Sequence, residues 1–121
     1  MMPYEKRDAW KRCHELVLAV YPATQQLPRP ELYGLTSQIR RAAVSAAANI
    51  AEGAAKRGPR EFRRYLDISF GSLSEVSYLL RLARDLHYLT EEAYKTLEIV
   101  RTRASQVTWK LYSSMKRSDD T

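Results

Sequence analysis

The residues best able to hold a metal or attack a substrate are two histidines, His14 and His87, and a single cysteine, Cys13. The histidines are far apart, with no Cys, His or carboxylate at metal-ligand spacing beside them, so no metal site is expected. Cys13 falls on an apolar helical stripe, where a packed thiol is expected rather than a nucleophile. No glycine-rich loop is present to cradle phosphate groups. On this reading the chain has no catalytic residues, binds no cofactor and is not an enzyme.

Four polar residues remain as candidates for chemistry inside the chain. Asn49 lies on an otherwise apolar stripe, and a polar side chain there needs hydrogen-bond partners. If the segments on either side of Gly58 fold back antiparallel, residues whose numbers sum to about 115 lie level with one another. Glu52 is then level with Arg63, and Arg40 with Glu75. The expected outcome is a structural network of Arg40, Asn49, Glu52 and Glu75, with two ion pairs and a satisfied amide fixing helix register. The alternative is a small polar pocket in which Glu52, Glu75 and Asn49 handle a ligand or a proton, which would require strongly shifted carboxylates.

A third constellation is basic. Lys56, Arg57, Arg60, Arg63 and Arg64 fall within one short stretch and are opposed only by Glu61. Arg60 and Arg64 are one helical turn apart, with Arg57 just before them. Such a cluster can grip phosphates, whose contacts dominate sequence-independent affinity for RNA or DNA. It can equally be a solvated helix end paired with carboxylates. Nothing around it forms a base-reading motif.

These side chains must be positioned by helices, because every periodic segment has helical spacing. Trp10, Cys13, Val17, Val20, Thr24 and Leu27 line one face of a first helix over about 7–26, stopped by Pro28 and Pro30. Leu35, Ile39, Ala42, Ala46, Asn49 and Gly53 form a stripe over 35–56, beside Ala43, Ala47, Ile50 and Ala54. Val44, Ala48, Ala51 and Ala55 add a third line, so this Ala-rich helix is apolar nearly all round and should have close neighbours on more than one side. Lys56-Arg57-Gly58-Pro59 breaks it, and Pro59 suits the first position of a third helix over 59–86.

That third helix has a strict 4-3 repeat: Phe62, Leu66, Ser69, Leu73, Val76, Leu80, Ala83. A parallel stripe reads Tyr65, Ile68, Ser72, Glu75, Leu79, Leu82, Leu86. Such repeats belong to bundle packing at shallow angles, and two stripes give more apolar face than one core needs. The surplus predicts a homo-oligomer. Thr90 is the expected N-cap of a fourth helix over 90–115, with Ala93, Leu97, Val100, Ala104, Val107 and Leu111 facing the core. Trp109, Tyr112 and Met115 are left at its edge as an assembly surface or a protein-partner site. The tail 116–121 is expected to be disordered. Short loops make successive helices antiparallel, giving one all-α domain over 1–121, an up-down-up-down four-helix bundle.

Composition agrees with that class. The chain has 121 residues, 45% hydrophobic and 28% charged, with four glycines and five prolines. No secretory h-region opens it, and its longest uncharged stretch, 16–28, is short of the ~20 residues needed to span a bilayer. A lone cysteine fits a reducing cytoplasm. The net charge of +6 speaks first to solubility and non-specific binding.

The opening run 4–10 (Tyr-Glu-Lys-Arg-Asp-Ala-Trp), the segment 34–45 (Gly-Leu-Thr-Ser-Gln-Ile-Arg-Arg-Ala-Ala-Val-Ser), Asn49-Ile50-Ala51-Glu52-Gly53, Glu61-Phe62, Tyr65-Leu66 and Gly71-Ser72-Leu73-Ser74-Glu75 together resemble the four-helix-bundle proteins encoded in 23S rRNA intervening sequences, also labelled S23 ribosomal proteins. The resemblance covers nearly the whole chain, although the tail and much of the fourth helix match only in pattern. It implies an up-down-up-down bundle and a ring-like homopentamer, and no known reaction. One departure is Ala46-Ala47, where relatives often carry Ile-Pro, so this helix should run through without a kink. A more distant resemblance in architecture links the chain to accessory variability proteins of retroelements, basic bundle pentamers that bind nucleic acid and a reverse transcriptase. From the residues, the first functional expectation is an oligomeric bundle contacting RNA or DNA through Arg57, Arg60 and Arg64. The second is a scaffold that captures a protein partner through apolar helix surface.

Overall fold

A computed structural model of the chain describes the backbone of residues 1–120 and the side chains of residues 1–115. Four long helices follow one another: α1 (Asp8–Thr24), α2 (Leu35–Ala54), α3 (Pro59–Asp85) and α4 (Glu91–Asp120). Single 3-10 turns at Pro3–Lys6 and Arg29–Glu31 precede α1 and α2. No strand occurs among the described residues. The first three helices match the expected spans to within two residues at each end. The fourth keeps helical backbone up to Asp120, past the expected end at 115, because nothing from 91 to 120 is a proline or glycine that would break its hydrogen bonding. The side chains of the expected tail, and Thr121 altogether, lie outside the described residues.

Contacts between helices fix their directions. Ser69 Oγ donates to the Ala46 carbonyl at 2.7 Å and Ser45 Oγ meets Ser72 Oγ at 2.9 Å, so α3 runs opposite to α2. Ser77–Glu98 and Phe70–Trp109 reverse α4 against α3. Cys13 meets Thr108 at one level, while Pro22 and Ala23 line one groove with Ala93 and Leu97 at another, which reverses α1 against α4. The expected up-down-up-down order is therefore the observed one.

Each helix end has a local cause. Gly58, just before α3, has φ +82°, a conformation that only glycine adopts without a Cβ penalty. α3 ends in a Schellman turn, with His87 N–H on the Arg84 carbonyl at 2.9 Å and Tyr88 N–H on the Ala83 carbonyl at 2.8 Å. His87 fills the left-handed position of that turn at φ +64°. Thr90 caps α4 as expected, accepting the Ala93 N–H at 3.0 Å. α1 stops earlier than Pro28 would require: Pro22 lies inside it, removes the N–H due to Leu18, and the helix ends two residues later.

The core is a single cluster drawn from all four helices. The 4-3 repeat of α3 is buried throughout, as are both expected inner stripes of α2 except Asn49 and Ala54, which are half-buried. In α1 the buried line is Ala9, Cys13, Leu16, Val20 and Thr24, one position round from the expected Trp10 and Val17. Trp10 instead lies at the helix edge, stacked on His14 with ring centres 4.8 Å apart. α2 and α3 approach closely at Gly53, where a Cβ would lie 2.7 Å from Tyr65 Cβ and 3.0 Å from Phe62 Cδ1. The outer lines stay open in part: Val44 on α2 is 40% exposed and Ile68 and Leu86 on α3 are 44% and 46% exposed, whereas Leu79 on the same α3 stripe is buried.

Two substitutions test this account. Gly53→Ala should lower unfolding free energy by about 1–3 kcal/mol through overpacking, outweighing a helix-propensity gain of up to about 1 kcal/mol. A urea curve showing unchanged or higher stability would mean that the crossing is not held by contact at Gly53. His87→Gly should raise stability by about 1 kcal/mol by relieving the left-handed strain, read as a higher melting temperature.

Candidate nucleic-acid interface

The antiparallel order places the start of α1, the end of α2, the start of α3 and the end of α4 at one end of the bundle. Four of the five expected phosphate contacts are displayed there: Lys56, Arg57, Arg60 and Arg64 are exposed, while Arg63 is half-buried. Gly53 lets the α2–α3 turn close tightly, and Pro59 sets the first turn of α3 so that its cations project from it.

These cations are not idle. Arg64 forms an ion pair with Glu61 at 2.7 Å, and that hydrogen bond holds the Glu61 carboxyl below its usual range. Its guanidinium also lies 4.9 Å from the centre of the Tyr65 ring, with Lys56 Nζ at 5.6 Å from the same ring. Arg60 and Arg63 each have a contact of their own. Arg7, just before α1, lies 5.4 Å over the Phe62 ring and brings a further cation to this end. At the opposite end two arginines are paired with carboxylates: Arg81 and Arg84 meet Asp85 at 3.9 and 3.2 Å, and Arg84 also reaches Glu91 at 3.9 Å.

The expected Arg40–Glu75 pair is not the one observed. Arg40 does not pair with Glu75: its Nε donates to Thr24 Oγ1 at 2.9 Å, its Nη2 to the Tyr21 carbonyl at 3.2 Å, and it covers the Tyr21 ring at 4.7 Å. Thr24 in turn donates to the Val20 carbonyl at 2.8 Å. Arg40 thus binds the Tyr21 carbonyl in the last turns of α1, where a cation also suits the helix dipole. Both Glu52 and Glu75 are exposed. Asn49 turns back along its own helix, donating to the Ser45 carbonyl at 2.8 Å and to Ser45 Oγ at 3.1 Å. The levels were right and the faces were wrong, since Arg40 points to α1 and Glu75 points outward. Glu98 is a half-buried carboxylate that accepts from Ser77 at 3.1 Å and pairs with Arg101. Its position on α4 carried no warning in the apolar pattern.

The remaining candidates have structural surroundings. Burial pushes the Cys13 thiol up to about 11, partly offset by hydrogen bonds from Thr108 and Ser69, so it stays protonated near neutrality. No cluster of three His, Cys, Asp or Glu residues suited to a metal ion occurs among the described residues. Trp109 is 55% exposed, stacked on Tyr112 at 5.4 Å and tilted against Phe70 at 5.8 Å. Tyr112 and Met115 are half-buried against the core.

A family model described as 23S rRNA-intervening sequence protein matches residues 5–112. The structure is similar to that of a protein of unknown function from the S23 ribosomal protein family of Bacteroides thetaiotaomicron VPI-5482, with a TM-score of 0.79 and 21% identity over 86% of this chain and 97% of that one. At that identity the likeness is one of fold. No curated protein matches the chain.

The observed role of Arg40 yields a discriminating pair of variants. Arg40→Met should destabilise the fold by about 1–3 kcal/mol, because it strips charged hydrogen bonds from Thr24 and the Tyr21 carbonyl. Glu75→Gln should stay within about 0.5 kcal/mol of the parent, as for an exposed residue without such features. Equal losses in denaturant titrations would restore the Arg40–Glu75 pair.

Proposed function

The chain belongs to the 23S rRNA-intervening sequence protein family, and we propose that it is a non-enzymatic bundle that contacts RNA or DNA phosphates through its basic end. The supporting observation is that Lys56, Arg57, Arg60 and Arg64 are exposed together around one turn, with Arg7 beside them. Phosphates would compete with Glu61 for Arg64, and an ion pair between exposed groups is weak enough to be displaced by a densely charged polymer.

Self-association belongs to the same proposal. Val44, Ile68 and Leu86 leave apolar surface uncovered on α2 and α3, and a second copy of this chain would cover it. Rotational symmetry would then repeat the basic end around a ring, with five copies the number implied by the family resemblance. No helix of the described residues is long and apolar enough to cross a membrane. A protonated, buried lone thiol suits a reducing cytoplasm, where we place the protein. A protein-binding scaffold is a second reading, favoured by the exposed Trp109 stacked on Tyr112. It requires salt-tolerant partner capture that is lost in Trp109→Ala.

Binding to a labelled structured RNA and a duplex DNA across a salt series tests the first reading, with the mass of the assembly taken by light scattering on the same sample. A steep linear fall of log affinity with log salt is expected, and little dependence on sequence. Reversing Arg57, Arg60 and Arg64 to Glu should flatten the slope by about 3, near 0.9 per phosphate contact removed. Binding unaltered by that triple reversal would sink the site assignment.

A further inference from the structure

Resting on that reading, we infer that the phosphate-binding surface continues from the α2–α3 turn across Arg7 into a groove beside the end of α4, and that its ligand is a double-stranded nucleic acid held by its backbone. The groove, of about 450 Å³, lies between the 3-10 turn at Pro3–Lys6 with the start of α1 on one side and α4 on the other. Lys6, Arg7 and Lys110 stand exposed along it, the Ser114 hydroxyl adds a neutral donor, and Asp8 is its one carboxylate. Arg7 joins the two halves, because its guanidinium lies over Phe62 in the first turn of α3. Three separate elements therefore supply cations to one end of the bundle, which makes a broad surface rather than a narrow channel.

The aromatic rings at this end decide between duplex and single strand. Proteins that bind single strands combine a basic groove with open aromatic faces on which unpaired bases stack. Here the rings are occupied. Phe62 is 6% exposed and lies under Arg7, and Tyr65 is half-buried with Lys56 and Arg64 over it. Trp109, the most open tryptophan face, turns toward α3 and Phe70, on a different side of α4 from Lys110 and Ser114. A surface that offers charge and withholds stacking gains most from the ligand with the densest phosphates. That ligand is a duplex, whose counterion release per contact also exceeds that of a single strand.

Fluorescence anisotropy on the full chain would compare a short RNA duplex, a DNA duplex and an unstructured poly-U strand of equal nucleotide number over a salt series. Both duplexes should bind about tenfold or more tightly than the strand at about 0.1 M salt. Joint Lys6→Glu and Lys110→Glu should weaken duplex binding about tenfold and flatten the salt slope by about 2. Tyr65→Leu and Trp109→Ala should leave affinity within about twofold, since neither ring stacks a base. Thermal melts would establish that each variant is folded. Equal or tighter binding to poly-U, or loss of binding in folded Tyr65→Leu, overturns the duplex assignment. Duplex binding that the α2–α3 turn reversals abolish and the Lys6/Lys110 pair leaves intact overturns the extension alone. No binding to any of the three probes overturns the underlying reading with it.

Discussion

The near-contact of α2 and α3 at Gly53 governs much of what surrounds it. A Cβ at that position would overlap Tyr65 and Phe62, so the two backbones come closer there than ordinary side chains permit. The alanines of α2 extend the same closeness along the helix, which is why Ser69 can reach the Ala46 carbonyl and Ser45 can reach Ser72 directly. With helices that close, the polar groups of one side chain find backbone partners on the next helix, and few large side chains are needed between them. The short turn through Gly58 follows from this spacing, and that turn is what sets Lys56, Arg57 and Arg60 side by side at the end of the bundle.

Helix ends supply the second layer of order. Arg40 reaches from α2 to the Tyr21 carbonyl near the end of α1, and its guanidinium covers the Tyr21 ring. The α3–α4 turn is closed by the Schellman bonds at His87 and by Thr90 on the next helix. Each device satisfies backbone groups that a helix terminus leaves open, and each also sets the direction in which the chain departs. His87 and Arg40, which their side-chain chemistry marks as candidates for function, are both consumed by this work.

Helix existence, order and register were legible because they depend on quantities that spacing encodes. The 4-3 repeat of α3 identifies a buried seam, and the two sides of Gly58 are level where their numbers sum to about 115: Ser69 with Ala46 fits that level, and Ser45 with Ser72 lies two residues from it. What spacing does not encode is the direction in which a long side chain leaves its helix. Arg40 and Glu75 share a level but face different neighbours, and Trp10 shares a face with Cys13 only within the width of one helical step. Glu98 and Arg101 were missed because a half-buried ion pair interrupts no apolar stripe. The basic cluster was visible as composition, yet its joining to Arg7, Lys6 and Lys110 needed the fold, since these residues are distant in the chain.

Antiparallel order also constrains where a field can come from. At the basic end α1 and α3 present their N-termini while α2 and α4 present their C-termini, so the helix dipoles largely cancel there. Any strong potential at that end must come from side chains. The opposite end has the same balance of dipoles, and there Arg81 and Arg84 are paired with Asp85 and Glu91. The difference between the two ends is therefore one of charged residues alone, screened over about 10 Å at ordinary salt. A ligand would feel this surface only when its own charges approach within that distance and in number. A polymer of closely spaced phosphates meets both conditions, whereas a single small anion would find Arg64 already held by Glu61.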